Sequence, residues 1–247
     1  MSDYILGRNP IMEALKSGRQ VHRVLVAKGS GKGSVVEIIS RARDARIPIQ
    51  EVERNALDKM TGGQNHQGVV ALVPAMEYVE VEDILDTARK KGEPPFILVL
   101  DEIEDPHNLG AILRTADAAG VHGVIIPKRR AVGLTGTVSK ASAGAVEYVP
   151  VARVVNLART LETLKKEGLW VVGADIDGEV IWQSEGLSGS LACVIGGEGR
   201  GISRLIKEKC DYIVSIPMKG QVNSLNASVA AAVLCYEILR QKEKVNT

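Results

Sequence analysis

Leu191-Ala192-Cys193-Val194-Ile195-Gly196-Gly197-Glu198-Gly199-Arg200-Gly201 passes from an unbroken apolar run straight into a loop of glycines and two charges. Five apolar residues without alternation predict a strand covered on both faces, as in a parallel sheet. Two other stretches repeat the arrangement. Phe96–Leu100 leads into Asp105-Pro106-His107-Asn108-Leu109-Gly110 and on to Arg114; Tyr212–Ile216 leads into Pro217-Met218 and on to Ser224-Leu225-Asn226. In open α/β sheets, ligands bind where the carboxyl ends of strands meet the loops that follow. Three such loops, bearing small residues and side-chain amides, point to one composite site.

The surrounding chain alternates as a parallel sheet requires. After Phe96–Leu100 come a helix Leu109–Ala119 stopped by Gly120, a strand Gly123–Ile126 and a helix Thr137–Val146. A strand Tyr148–Val151, a helix Leu157–Lys166 and a strand Trp170–Ala174 follow. Beyond Leu191–Ile195 lie a helix Ser203–Lys209, the strand Tyr212–Ile216 and a final helix Leu225–Gln241. Residues 94–247 are therefore expected to form a parallel sheet with helices on both faces.

Residues 1–74 read as a smaller αβαβαβ unit. Asn9 caps a helix with Pro10 at its first position, and Val24–Val26 is a short strand. Ser34 caps a helix Val35–Ala45, Ile47–Val52 is a strand, Arg54–Met60 a helix and Gly68–Val73 a closing strand. Between the two, residues 75–93 read as a linker with one polar helix, broken by Lys90-Lys91-Gly92-Glu93-Pro94-Pro95.

Composition narrows the function classes. The 247 residues are 45% hydrophobic and 25% charged, ordinary for a soluble globular chain. Aromatics make up only 3%, which disfavours RNA binding by base stacking on an aromatic platform. No apolar run has membrane-spanning length, and residues 1–10 lack a signal-peptide pattern, so a cytoplasmic protein without membrane attachment is expected. Cys193, Cys210 and Cys235 share no metal-ligand spacing, nor do His22, His66, His107 and His122, so no metal is expected. The net charge of +1 conceals an asymmetry: residues 1–74 carry 11 Lys+Arg against 7 Asp+Glu, compatible with a polyanionic partner.

Two loops imitate nucleotide fingerprints and fail. Gly29-Ser30-Gly31-Lys32-Gly33-Ser34 places a glycine after its lysine, where a P-loop needs Ser or Thr. Gly196–Gly201 lacks the dinucleotide spacing and has no acidic residue at ribose-reading distance. The polar residues of the three segments each admit two readings. Asn108 and Ser224 stand where helix caps stand. Arg114 can pair with Asp117 on its own helix or grip a phosphate. Glu198 can cap the helix that follows or face a ligand.

Taken together, the segments resemble a known family. Asp105–Ala116, Gly197–Gly201 and Ile216–Ala230 resemble, in order, motifs 1, 2 and 3 of the SpoU (TrmH-like) RNA ribose methyltransferases. Leu6-Gly7-Arg8-Asn9-Pro10 and His66-Gln67-Gly68-Val69-Val70-Ala71 resemble the N-terminal substrate-binding domain of the family's ribosomal-RNA branch.

The resemblance implies an L30e-like RNA-binding domain at 1–74 and a SPOUT-type methyltransferase domain at 94–247 whose C-terminal part forms a deep trefoil knot. It implies S-adenosylmethionine as cofactor, held by Ala174, Gly196, Gly197, Gly199, Ile216, Met218, Ser224, Leu225 and Asn226. It implies catalysis by Arg114, with Asn108, Glu198, Ser224 and Asn226 orienting ribose, cofactor and arginine. The implied reaction is 2′-O-methylation of a guanosine in 23S rRNA by a homodimer paired through the final helix. A tRNA D-loop guanosine or an rRNA adenosine as target, or a non-catalytic ribosome-assembly factor, are the alternatives.

Overall fold

The computed structural model describes residues 2–245. Contacts divide the chain into two compact units, one running to Glu77 and including Gly133–Tyr148, the other comprising Tyr78–Val132 and everything from Val149 onward.

The first unit is built on a four-stranded sheet in the order β1-β4-β2-β3: β1 (Ser2–Leu6), β2 (Arg23–Ala27), β3 (Ile49–Val52) and β4 (Val69–Pro74). β4 runs antiparallel to both β1 and β2, while β2 and β3 are parallel. Alternation along the strands sorts the side chains into two cores. Val24, Val26, Val69, Ala71 and Val73 pack with Ile11 and Ala14 of α1 (Arg8–Lys16) and with Val35, Ile38 and Ala42 of α2 (Ser34–Asp44). Leu25, Ala27 and Val70 pack on the other face with Leu57 of α3 (Arg54–Met60).

Several boundaries differ from the sequence expectation. β1 was not anticipated; five residues next to a chain end give too short an alternation. α1 starts at Gly7, whose φ of 91° turns the chain in, rather than at Asn9. Pro10 thus sits within the first turn, where its missing N–H costs nothing because those donors lack intrahelical partners anyway. α2 likewise begins one residue early, at Gly33 with φ 63°.

The helix expected at Thr137–Val146 is two pieces, α4 (Gly136–Ala141) and a 3₁₀ turn at Ala145–Glu147. Ala143 and Gly144 separate them with φ of 53° and 97°. This segment belongs to the first unit although its sequence neighbours belong to the second. A Cβ on Gly136 would lie 2.7 Å from the Tyr4 carbonyl oxygen. Arg19 Nη1 meets Glu147 Oε1 at 2.6 Å, with both side chains largely buried.

The second unit opens with α5 (Val81–Lys91), in the stretch read as a linker. Its Val81, Ile84, Leu85 and Ala88 are buried, the first three in one core cluster with Ile97, Val99, Ile125 and Val171. The six-stranded sheet is parallel throughout. Its strands are β5 (Phe96–Asp101), β6 (Gly123–Pro127), β7 (Val151–Val154), β8 (Trp170–Val180), β9 (Leu191–Gly196) and β10 (Tyr212–Ser215), in the order β10-β8-β9-β5-β6-β7. Helices α6 (Pro106–Ala118), α7 (Leu157–Lys166), α8 (Arg204–Lys207) and α9 (Ala227–Val245) complete it. This is the expected parallel architecture.

β8 runs on past its expected end at Ala174. Its register with β10 slips between Ile213 and Val214, so residues 174–178 bulge out of the ladder. Gly178 sits there with its α-carbon against β10: a Cβ would lie 2.6 Å from the Ile213 carbonyl. α9 buries Ala227, Ala231, Leu234, Cys235 and Ile238 but leaves Val229 and Tyr236 exposed. Burial of this apolar helix is thus confined to one face.

Candidate active site

Three loops leave the carboxyl ends of β5, β9 and β10, and the structure brings them together. α6 is capped by Asp105, whose Oδ1 accepts from the His107 N–H at 2.8 Å, with Pro106 at the first helical position. Asn108 is therefore not a cap. It lies inside the first turn, buried, with its side chain free for tertiary work. α9 is capped by Asn226, not by Ser224: Asn226 Oδ1 accepts from Ser228 N at 3.0 Å and from Ser228 Oγ at 2.6 Å.

These two asparagines converge on Glu198. Asn108 Nδ2 donates to Glu198 Oε1 at 2.9 Å, and Asn226 Nδ2 donates to the same oxygen and, at 2.9 Å, to Asn108 Oδ1. One residue from each loop thus closes a hydrogen-bonded triangle. Glu198 Oε1 is held by these two amides, and among the described residues the carboxylate has no ion-pair partner.

The helix after the glycine loop is fastened by a residue the sequence reading passed over. Asp101, buried at the end of β5, accepts from the Ser203 N–H at 2.8 Å through Oδ2. A lone acid closing an apolar run was the available signal.

The glycines of this loop have two different reasons. Gly196 lies opposite Asp101 in the ladder, and a Cβ there would collide with the Gly201 carbonyl group. A Cβ on Gly197 would collide with the Glu102 carbonyl oxygen. Gly199 and Gly201 instead have φ of 84° and 63°, the left-handed region.

Beside the triangle lies a cavity of about 510 Å³, within the roughly 300–1,000 Å³ of small-molecule sites. All nine residues expected to hold a cofactor line it: Ala174, Gly196, Gly197, Gly199, Ile216, Met218, Ser224, Leu225 and Asn226. Ile195, Val214 and Ala227 add an apolar floor. Asp175 and Ile176 of the β8 bulge, Asn223 and Arg200 also line it. Lys207 Nζ holds Asp175 Oδ1 at 3.0 Å and Asp177 Oδ2 at 3.0 Å, and these two carboxylates raise its pKa.

Arg114 is not brought into this cavity. It is exposed on α6, and among the described residues it has no ion-pair partner; the pairing with Asp117 does not form. The thiols are out of play as nucleophiles. Burial pushes Cys235 up to about 12, Cys210 up to about 11 and Cys193 well above its ordinary value. Among the described residues no group of three His, Cys, Asp or Glu could hold a metal, and no helix is long and apolar enough to cross a membrane.

Comparison with known proteins places the chain in a family. Residues 95–236 match the SpoU rRNA methylase family, and residues 4–79 match the RNA 2′-O ribose methyltransferase substrate-binding family. The chain belongs to the SpoU methylase family. As a SpoU protein it is a methyltransferase, and the residues that line the cavity all lie within the matched stretch.

YacO of Bacillus subtilis (strain 168), named for the TrmH family of tRNA/rRNA methyltransferases, is 54% identical over 243 residues, covering 98% of this chain and 97% of its own. The crystal structure of the SpoU methyltransferase AviRb from Streptomyces viridochromogenes, in complex with the cofactor AdoMet, superposes with a TM-score of 0.83 at 26% identity, over 98% of this chain and 91% of AviRb. An RNA 2′-O ribose methyltransferase structure gives 0.79 at 29% identity, over 97% and 88% of the two chains.

Proposed function

We propose that this SpoU protein transfers a methyl group from S-adenosylmethionine to the 2′-oxygen of a guanosine ribose in 23S rRNA, as the methyltransferase RlmB does. The observation that carries the reading is the Asn108–Glu198–Asn226 triangle, which ties the loop of the first motif to the loops of the second and third, the two that line the cavity. The match of residues 4–79 to a ribose methyltransferase substrate-binding family supports the ribose and the RNA.

The cavity fits the cofactor on its own terms. Ile195, Val214 and Leu225 offer apolar walls to a purine, and Gly196 and Gly197 leave backbone groups uncovered by side chains. Asp175, Glu198 and Arg200 bring carboxylates and a guanidinium to its wall, polar groups for a ligand that carries both an ammonium and a carboxylate. Bound there, S-adenosylmethionine would supply a methyl on a sulfonium, already a good leaving group.

The protein's own residues then have a positioning task. Glu198, Asn108 and Asn226 fix the loop that faces the ribose, and Ser224 lines the same wall. A guanidinium is a poor base. We therefore assign Arg114 to gripping the phosphate beside the target ribose and stabilising charge that develops on the 2′-oxygen. The reading also takes the crossing of the loops at 196–203 and 216–226 as a trefoil knot, residues 1–74 as an L30e-like RNA-binding domain, and the cytoplasm as the place of work. The exposed apolar residues Val229 and Tyr236 of α9 support a homodimer, testable by sedimentation.

The deciding experiment is methyl transfer from labelled S-adenosylmethionine to total rRNA and tRNA from a strain lacking the gene, with mapping of the 2′-O-methyl position. A single 23S guanosine is expected; a tRNA or adenosine product would overturn the substrate. Arg114→Ala should abolish transfer while cofactor binding persists. Loss of both would make Arg114 structural.

A further inference from the structure

The loop leaving β6 carries Lys128-Arg129-Arg130 at the same carboxyl-terminal edge of the sheet as the cofactor cavity. β6 adjoins β5, and β5 adjoins β9, so this loop lies about 10 Å along the sheet edge from the glycine loop. All three side chains are exposed.

The loop is held unusually firmly for a surface turn. Lys128 N donates to Val154 O at 2.8 Å, and Arg153 Nη2 donates to Lys128 O at 3.1 Å. Arg153 is itself seated over the Tyr78 ring, 5.3 Å from its centroid. On the far side, Val132 N donates to Ile103 O at 2.9 Å, and Arg130 pairs with Glu102 at 2.8 Å.

Both members of that ion pair are strained. Arg130 has φ 56° and Glu102 has φ 59°, the left-handed region that non-glycine residues enter only at a cost. Strain maintained at two paired residues beside a catalytic edge calls for a function, and the fastening indicates which residues perform it. Arg130 is answered by Glu102, with Glu104 and Asp101 nearby, so it is a fastener. Lys128 and Arg129 have no ion-pair partner among the described residues and project from a rigid base.

We propose that Lys128 and Arg129 form a phosphate-binding ledge that takes the RNA backbone flanking the target nucleotide. The ledge rests on the reading of this chain as an RNA methyltransferase. Two unpaired cations on a hydrogen-bonded loop offer a polyanion two charges at a fixed place on the sheet edge. They carry no sequence information; they set the strand's path past the cavity.

The test is the double variant Lys128→Ala/Arg129→Ala in the full chain, assayed for binding to transcribed 23S rRNA across a salt series, with S-adenosylmethionine binding measured alongside. RNA affinity should fall about tenfold or more, and the slope of log affinity against log salt should drop by about 2. Cofactor affinity should stay within twofold, roughly the noise of such assays. Unchanged RNA affinity and slope would overturn the ledge while leaving the methyltransferase reading intact. Equal loss of cofactor binding would also overturn it, because the loop would then be a support for the cavity. If the unaltered chain binds RNA through these residues but transfers no methyl, the ledge stands and the catalytic reading fails.

Discussion

The loop Gly29–Ser34 ahead of α2 and the loop Gly196–Gly201 after β9 are both glycine-rich, yet an added methyl group meets different surroundings in each. At Gly29 and Gly31 a Cβ would have nothing within 4 Å, and at Gly33 only the tip of Arg8, 3.9 Å away. At Gly196 and Gly197 it would strike main chain. The first loop uses glycine for its dihedrals, with φ of 76° at Gly29 and 63° at Gly33. The second uses it for dihedrals at Gly199 and Gly201, and at Gly196 and Gly197 so that backbone can lie directly on backbone under the cavity. Glycine content therefore says little about function until the neighbours are known.

The contrast is broken most severely at Gly196. Gly196→Ala pushes a methyl into the Gly201 carbonyl, and neither strand β9 nor the loop can retreat without opening the ladder to Asp101. Cofactor binding should be lost, with about 3 kcal/mol or more of stability. Calorimetric titration and denaturant melts measure both; binding within twofold of the original would show that the loop tolerates side chains after all.

Asn226 separates the loop's fixing from the helix's capping. Asn226→Ser retains an N-cap acceptor for α9, so stability should change by only a few tenths of a kcal/mol. It removes the amide that bridges Glu198 and Asn108, so the loop after β10 is released from the other two, which Asn108 and Glu198 still join. A misplacement on the order of 1 Å is worth about 100-fold in turnover. An Asn226→Ser protein that turns over normally would make the triangle decorative.

A third probe concerns the strand beneath the loop. Phe96 N, at the start of β5, donates to His122 Nδ1 at 3.0 Å, leaving Nε2 to donate to Glu93. Burial depresses the pKa of His122 below 6.5. The unfolded chain therefore takes up this proton first as pH falls. Stability is full above 6.5 and erodes as pH drops through the window between that value and the depressed one. Denaturant melts at stepped pH should show the loss, and His122→Asn should flatten it.

What the sequence made legible follows from the same contrast. The parallel sheet was readable because β5, β6 and β9 are unbroken apolar runs, and the cavity because β9 and β10 run into loops of small and amide residues. The caps were misplaced because Asn108 and Ser224 have cap chemistry, while Asp105 and Asn226 hold the positions. Choosing between neighbouring candidates depends on where each chain turns in space. The exchange of residues 133–148 into the first unit was invisible for a stronger reason. Periodicity describes a segment's own faces, and Gly136 packs on Tyr4, more than a hundred residues away. The bulge that carries Asp175 arises from a register slip between two strands, which neither strand encodes alone.

The smallest expected effect is the most exacting check of the glycine argument. Gly31 has neither a left-handed φ nor a neighbour that a Cβ would touch, so Gly31→Ala should be accepted without strain. Replacing glycine by alanine at a compatible position restricts the unfolded chain and stabilises by roughly 0.4–1 kcal/mol. Methyl transfer and cofactor affinity should not move, since the residue lies in the first unit and the cavity is built wholly from the second. A clear loss of stability would mean that this loop, too, needs bare backbone against a neighbour. A loss of RNA affinity at full stability would instead give the loop a part in holding RNA, because only a bound partner could then occupy the space that the free protein leaves open at Gly31.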